Sequence, residues 1–512
     1  MKKYLAIILS LALVISLAAC GSSNTASGSS ANTAVSNASE QKNSAGNGSN
    51  AAENTENSAA SNSAPGGVPD GNGPGGAPGG NGPGGSAPGG APGGNGGGMP
   101  GGAPSGSSDL TYTAATEITV AVTEDGKSYA SDTADESALI ISTTDEVTIT
   151  NATVTKTGDS DGGDNCNFYG LNAAVLVKDG AATTITGATI TSGASGANGV
   201  FSYGGNGGQN GASGDGTTVI IKDSTITTTG SGSGGIMTTG GGIMKAYDLT
   251  VTTSGQSSAA IRTDRGGGTV YVDGGTYTSN GLGSPAIYST ADITVENAEL
   301  ISNLSEGVCI EGLNSITLNN CSLTANNTKC NGNATFLDTI MIYQSMSGDA
   351  ASGTSSFTMN GGTLTSKNGH VFHVTNTSAV ITLSGVEIIN EDSEGILLSV
   401  CSDGWSGGSN TAQLKASGQT LSGKMLVGND SSLTLSLEDG STFTGCISGE
   451  ITNASGASVS AETGTVNVTI DSSSTWTLTA DTYISSFTGD ASCIISNGYN
   501  LYVNGTALSG TK

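Results

Sequence analysis

The two arginines of this 512-residue chain, Arg262 and Arg265, stand on either side of Asp264. Arg262, Tyr288 and Glu311 each follow an isoleucine, and successive side chains of a strand point to opposite faces. If the isoleucines point inward, the three polar side chains lie exposed along one outer face. A guanidinium, an aromatic ring and a carboxylate there could bind a sugar by hydrogen bonding and stacking. They form a candidate ligand face, with an ordinary solvated surface as the alternative.

A glycine-rich acidic segment, residues 158–165, carries Asp159, Asp161 and Asp164. Calcium prefers clusters of carboxylate oxygens, so these three residues are a candidate calcium site. Their spacing differs from that of an EF-hand loop, and a solvated acidic loop is the alternative interpretation. No other cofactor is predicted.

The chain has only two histidines, His370 and His373. Residues three apart on a regular strand point to opposite faces, so the sequence predicts neither a shared metal site nor a Ser-His-Asp arrangement. No catalytic residue is predicted. Besides Cys20, seven cysteines occur without regular spacing, which is a poor basis for a disulfide framework. Of these, Cys309 and Cys321 are predicted to be buried as small apolar residues.

The N-terminal segment has the features of an export signal. Lys2 and Lys3 precede an apolar stretch at residues 5–17. The segment then ends in Leu-Ala-Ala-Cys at residues 17–20. This ending resembles the lipobox of bacterial lipoproteins. The resemblance implies a signal peptide at residues 1–19, lipid modification of Cys20, and anchoring to membrane lipid on the extracellular face of a bacterial cell membrane.

Residues 20–108 are low in complexity, first Ser, Asn and Ala and then repeated Pro-Gly-Gly. Such a segment buries little apolar surface, so it is expected to be a disordered linker. The whole chain has a formal net charge of −27 and 11% charged residues. Nucleic-acid binding is therefore excluded as a function, because a polyanion requires a basic surface.

Residues 109–512 are predicted to form one all-β domain, because a short pattern recurs nine times between residues 147 and 388. Two apolar residues, two positions apart, precede Asn, Asp or Gly, which is followed by a usually small residue and then by another apolar one; the copy that starts at Thr183 is less regular there. Asn, Asp and Gly tolerate the left-handed conformation, which indicates a sharp bend between two short strands. The copies are 147–154, 183–190, 219–226, 244–251, 270–277, 293–300, 316–323, 357–364 and 381–388.

The spacing of these copies has a base period near 23 residues with insertions, which is typical of a solenoid. The pattern resembles the right-handed parallel β-helix of the pectate-lyase-like superfamily, and about 12–14 coils are expected. Coils from about residue 430 resemble those of bacterial surface adhesins. There, Phe443 and Trp476 occupy equivalent positions and are predicted to stack in the core, with stacking on a sugar as the alternative.

Many members of this superfamily are polysaccharide lyases or glycosidases, but their clustered calcium-binding carboxylates are not recognisable here. The sequence therefore predicts a non-catalytic adhesin or carbohydrate-binding module on the cell surface, with an extracellular polysaccharide or a host glycan as its partner. A polysaccharide lyase or hydrolase, and a purely structural spacer, are the alternatives. The ligand class rests on analogy of fold.

Overall fold

A computed structural model describes residues 110–206 and 213–512. These residues form a right-handed parallel β-helix, as predicted, in which each coil contributes strands to up to three long parallel sheets. The sheets are called first, second and third here, in the order in which the chain enters them. The nearly all-β composition and the stacking of coils confirm the predicted fold class, and the 14 strands of the second sheet agree with the expected coil number.

The first sheet has 15 strands. They are Thr113–Ile118, Glu136–Ser142, Val175–Lys178, Val200–Tyr203, Ile236–Thr239, Ile261–Thr263, Ile287–Ser289, Val308–Glu311, Asp338–Tyr343, His370–Thr375, Ile396–Val400, Thr420–Val427, Thr442–Ser448, Thr475–Leu478 and Ile494–Ile495.

The second sheet has 14 strands. They are Val122–Asp125, Glu146–Thr150, Ala182–Thr186, Thr218–Lys222, Gly242–Tyr247, Gly268–Asp273, Asp292–Glu296, Ser315–Asn319, Thr354–Asn360, Thr377–Ser384, Asn410–Ser417, Ser431–Glu438, Thr465–Ile470 and Ser486–Thr488.

The third sheet has 10 strands and ends before the other two. They are Ser128–Ser131, Thr153–Lys156, Thr189–Ser192, Thr225–Thr228, Thr250–Thr253, Thr276–Ser279, Glu299–Ser302, Ser322–Ala325, Thr363–Ser366 and Glu387–Asn390.

Short elements complete the described chain. An antiparallel pair joins Ile451–Thr452 to Ser458–Ser460, and a small sheet contains Thr482–Ile484, Leu501–Val503 and Thr506–Ala507. The helices are Asp164–Tyr169, an α-helix, and Ala491–Cys493, a 3-10 turn.

The nine repeat copies lie where the second sheet turns into the third. The residue at the predicted bend has a positive φ in every copy, from 47° at Asp223 to 75° at Gly274. Polar side chains at and beside these bends also stack from coil to coil: the Asn320 amide donates to Asn297 (3.0 Å), and the Asn297 amide donates to Asp273 (2.8 Å). The inference from residue type to backbone conformation is confirmed.

The core runs along the inside of the coils and consists of the apolar residues of each strand that point inward. In the last coils Phe443 and Trp476 are register partners and are fully buried, and their ring centroids lie 5.4 Å apart with a tilt of 26°. The Trp476 indole N–H donates to the carbonyl oxygen of Gly445 (3.0 Å). The predicted aromatic stack is confirmed.

Over much of the stack, the first sheet is buried on its outer face as well. Strands such as Asp338–Tyr343 and His370–Thr375 have every residue buried, whereas strands of the second sheet alternate. Segments inserted between coils cover this outer face, and the helix Asp164–Tyr169 belongs to one of them. A second buried region, more polar than the core, therefore lies between the outer face of the first sheet and the segments that cover it.

Candidate functional site

The candidate ligand face predicted from the sequence is not exposed. Arg262, Tyr288 and Glu311 do lie on the outer side of the first sheet, but they are only 1%, 4% and 1% exposed. The register also differs from the expected one, because Tyr288 pairs with Cys309 and Glu311 lies two residues further along that strand. The prediction of an exposed ladder is wrong, since segments distant in the chain cover these strands.

Arg262 is held beneath the helix Asp164–Tyr169. Its guanidinium donates to Asp264 (2.8 Å), to the side-chain oxygen of Asn167 (3.1 Å) and to the carbonyl oxygen of Ser257 (3.1 Å). Asn167 lies 95 residues before Arg262, so no local pattern in the sequence predicts this contact. These bonds satisfy the buried charge and leave it unavailable to a ligand.

Glu311 lies at the centre of a second buried cluster. Its carboxylate accepts hydrogen bonds from the hydroxyls of Tyr288 (2.6 Å), Tyr343 (3.1 Å) and Ser345. Burial raises the pKa of Glu311, and these hydrogen bonds oppose the shift. Trp405 packs over Tyr343, with 4.9 Å between the ring centroids, so the cluster is closed from outside.

The three aspartates of the candidate calcium site do not converge. Asp159 accepts a hydrogen bond from the Ser195 amide (2.7 Å), Asp161 is exposed, and Asp164 begins the short helix. The pKa of Asp164 is raised by burial and by the charge of Asp349. Within residues 110–206 and 213–512, no group of three or more His, Cys, Asp or Glu side chains is arranged to hold a metal ion.

All seven cysteines of the described chain are free thiols. Cys309 and Cys321 are 0% and 1% exposed, which confirms that they are buried as small apolar residues.

Further along the stack, the covering segments separate and leave a cavity of about 670 Å³, called the trough here. Its floor consists of residues on four consecutive strands of the first sheet: His370, Ile396, Lys424 and Cys446. Its lining also includes four carboxylates and an exposed tyrosine: Asp392, Glu394, Glu450, Asp481 and Tyr483.

The charged side chains of the trough are four carboxylates and one ammonium group, that of Lys424. Lys424 lies 3.9 Å from Glu394, and both side chains are largely solvated, so this pair is weak. Asp392 accepts a hydrogen bond from the Gly369 amide (2.9 Å), and Asp481 accepts one from the Asn500 amide (2.8 Å). The trough is therefore acidic, and its lining also includes hydroxyl and amide side chains that can both donate and accept, such as Thr452 and Asn453.

Tyr483 gives the trough an aromatic surface. It is 54% exposed, and its ring lies parallel to that of Tyr502, with 4.6 Å between the centroids and a tilt of 7°. Both tyrosines lie on adjacent parallel strands of the small C-terminal sheet. Because stacking on Tyr502 holds it in place, Tyr483 presents a flat surface at little entropic cost.

Beneath the trough, His370 begins a buried chain of polar groups. The Ser399 hydroxyl is hydrogen-bonded to Nδ1 of His370 (2.6 Å) and to Nδ1 of His373 (2.7 Å). Nε2 of His373 lies 3.4 Å from the carboxylate of Asp403. The other carboxylate oxygen of Asp403 accepts from the amide and the hydroxyl of Thr335, at 2.8 and 2.6 Å. These four side chains, from His370 to Asp403, are called the relay here.

The charges of the relay follow from its surroundings. Burial would raise the pKa of Asp403, but the adjacent His373 and the hydrogen bonds from Thr335 lower it overall. Burial, together with the neighbouring His373, lowers the pKa of His370 to about 3. Asp403 is therefore a carboxylate and His370 a neutral imidazole at neutral pH.

The expectation that the two histidines point to opposite faces is wrong. Both contact the same Ser399 hydroxyl, because Val371 and Phe372 between them both enter the core and break the alternation of the strand. A Ser-His-Asp constellation also exists, although Ser399 is fully buried and therefore inaccessible as a nucleophile. The coil period could have predicted this contact, because Ser399 lies one coil after His373 and is its register partner.

Comparison of the chain with models of known protein families, with curated proteins and with solved structures finds no match. The class defined by the structure is that of parallel β-helix proteins. Neither helix of the described part is long and apolar enough to cross a membrane. The predicted signal peptide at residues 1–19, lipidation at Cys20 and the linker at residues 20–108 lie outside the described residues.

Proposed function

We propose that this chain is a carbohydrate-binding protein of the bacterial cell surface and that the trough is its binding site. The observation that carries the proposal is the half-exposed ring of Tyr483, which stacks on Tyr502 and lines a cavity that also contains four carboxylates. Sugars present an apolar face that stacks on aromatic rings and hydroxyl groups that donate to carboxylates. A trough with one rigid ring and several carboxylates offers both contacts.

The repeat pattern supports a relation to the pectate-lyase-like superfamily, in which such helices handle polysaccharides. This relation is an analogy of fold, whereas the aromatic and acidic side chains of the trough could contact a sugar directly. The motif ending in Cys20 supports export and a lipid anchor, and residues 20–108 would then separate the β-helix from the membrane. The protein would thus bind an extracellular polysaccharide or a glycan of another cell.

Glycan-array binding of the chain from residue 21 onward tests this function, followed by calorimetry of Tyr483→Ala. Loss of one stacked ring is expected to weaken binding by about 1–2 kcal/mol. Tyr271→Ala is the matched control, because Tyr271 belongs to a tyrosine pair on the second sheet, away from the trough. Undiminished binding by the Tyr483 variant would refute the trough as the site. Release of sugar products during the assay would favour the lyase or hydrolase alternative instead.

A further inference from the structure

The third sheet ends at an open edge. Its last strand, Glu387–Asn390, is paired with Thr363–Ser366 of the preceding coil. The coil that follows passes directly from the second sheet to the first, because Asn410–Ser417 is followed after two residues by Thr420–Val427. A cavity of about 660 Å³, called the edge groove here, is lined by residues of Glu387–Asn390 and of Thr420–Val427.

The edge strand leaves part of its backbone without a partner. The amides of Glu387 and Glu391 donate to carbonyl oxygens of the preceding coil (2.9 and 2.8 Å). Since the backbone groups of successive strand residues point to alternate sides, those of Ile388 and Asn390 point away from that coil. In the described part of the chain, neither residue has a hydrogen-bond partner for its N–H or C=O on that side. These backbone groups are therefore free to pair with another strand.

A side chain already occupies the preceding position of this edge. The carboxamide of Gln419, which is 1% exposed, accepts from the Val386 amide (2.8 Å) and donates to the Val386 carbonyl oxygen (2.7 Å). The backbone of an added strand would form the same two types of hydrogen bond. Gln419 thus continues the sheet by one residue, and the ladder stays open at Ile388 and Asn390.

The apolar core is incompletely covered at the same place. Ile388 occupies the inward position that Leu364 has in the preceding coil, where Leu364 is fully buried. Ile388 packs against the core, yet it stays partly exposed and lines the edge groove. An added strand would cover it with an apolar side chain, because side chains on one face of adjacent strands lie about 5 Å apart.

We propose that the edge groove binds an extended peptide segment that adds a strand to the third sheet, with an apolar residue over Ile388 and basic residues beside Glu387 and Glu391. This interaction is separate from the proposed sugar binding in the trough. Of the described residues that line the groove, Glu387 alone is charged, and Glu391 is exposed at the end of the same strand. Backbone pairing would supply affinity, and the two glutamates would select a basic partner.

The same two glutamates disfavour a second copy of this chain as the occupant. A twofold contact would pair the edge with itself and bring the carboxylates of Glu387 and Glu391 close to their own counterparts. Like charges placed opposite each other across paired strands are destabilising.

A fluorescein-labelled pentapeptide, Lys-Val-Val-Val-Lys, tests the proposal by fluorescence anisotropy. It reads the same in both directions, so it suits a parallel or an antiparallel added strand. The control peptides are Glu-Val-Val-Val-Glu and the lysine peptide with all three valines N-methylated. Each is expected to bind at least about tenfold more weakly, because the first loses the charge complementarity and the second loses backbone donors. Equal binding of the three peptides would overturn the inference.

Charge reversal locates the site on the protein. Glu387→Lys/Glu391→Lys is expected to prefer the glutamate peptide over the lysine peptide, since both side chains are exposed. Glu146→Lys/Glu299→Lys is the matched control, because it makes the same change in net charge at exposed positions on strands that are paired on both sides. An unchanged preference in the first variant, or the same reversal in the control, contradicts the proposed site.

Ile388→Pro tests the backbone pairing itself. Proline is tolerated where a strand's N–H points away from its sheet, so the circular dichroism spectrum should be kept while peptide binding is lost. If this variant does not fold, the charge reversal decides alone. Full peptide binding by a folded Ile388→Pro overturns the inference. Dimers of the unliganded chain that Ile388→Pro dissociates would assign the edge to a second copy and overturn it as well.

Discussion

Replacing Arg262 with methionine should destabilise the protein strongly, because the change leaves Asp264 buried without its cation. The side chains of both residues are only 2% exposed. Removing one partner of a buried ion pair typically costs about 3–5 kcal/mol, and methionine fills much of the vacated volume. The double variant Arg262→Met/Asp264→Leu removes the stranded charge and should recover at least about 2 kcal/mol of that loss.

The loss of stability in Arg262→Met should also depend on pH. The ionisation of the Asp264 carboxyl determines whether this loss grows or shrinks as the pH rises. Burial raises the pKa of Asp264 to about 7, although Arg262 opposes the shift. The folded state thus binds this proton more tightly than the unfolded chain does, and stability falls as the pH rises from about 4 towards 7. Without Arg262 the pKa rises further, so Arg262→Met should cost little at pH 5, where Asp264 is neutral, and most at pH 8.

Urea unfolding followed by circular dichroism at pH 5 and pH 8 measures both effects in the chain from residue 21 onward. Lys245→Met is a suitable control, since Lys245 is an exposed cation on the second sheet. If Arg262→Met loses as much stability at pH 5 as at pH 8, a buried charge is not the cause. If it loses none at either pH, Arg262 is solvated and the covering helix does not bind it.

Three further changes test the rest of the molecule. Trp476→Ala should reduce unfolding free energy by about 3–5 kcal/mol in urea titrations, because it empties a fully buried site; a loss below about 1 kcal/mol would contradict the stack. Asn320→Ala should cost about 1–2 kcal/mol, since alanine resists a φ of 53°, and Asn320→Gly should cost less. The reverse order would argue against backbone strain. Cys20→Ala should abolish labelling by a fatty-acid analogue in cells, and persistent labelling would exclude this lipidation site.

The coil could be predicted from the sequence because its determinants are close together in the chain. Asn297 and Asn320, for example, stand at bends where an ordinary side chain is strained, and the apolar residues beside them alternate with the period of a strand. The stack of Phe443 on Trp476 followed from the same repeat. Such features need only the local pattern and the regular distance from one coil to the next.

The site could be predicted only in part. Arg262, Tyr288 and Glu311 were correctly placed on the outer side of the first sheet, yet alternation along a strand does not reveal whether that side meets water. A segment from elsewhere decides this, as Asn167 does for Arg262. The trough lies where such covering segments separate, and no local pattern in the sequence predicts where they do so.

The sequence by itself determined the class of fold, because each coil repeats a short pattern whose apolar period and left-handed bends depend on near neighbours. Only the tertiary structure decided which outward side chains are buried and which reach a ligand. The relay is the clearest example. His370 and His373 lie on the same side of their strand because the alternation of its side chains is interrupted between them, and Ser399 contacts both from the next coil. Contacts across coils depend on the three-dimensional path of the insertions, which residue order alone does not specify.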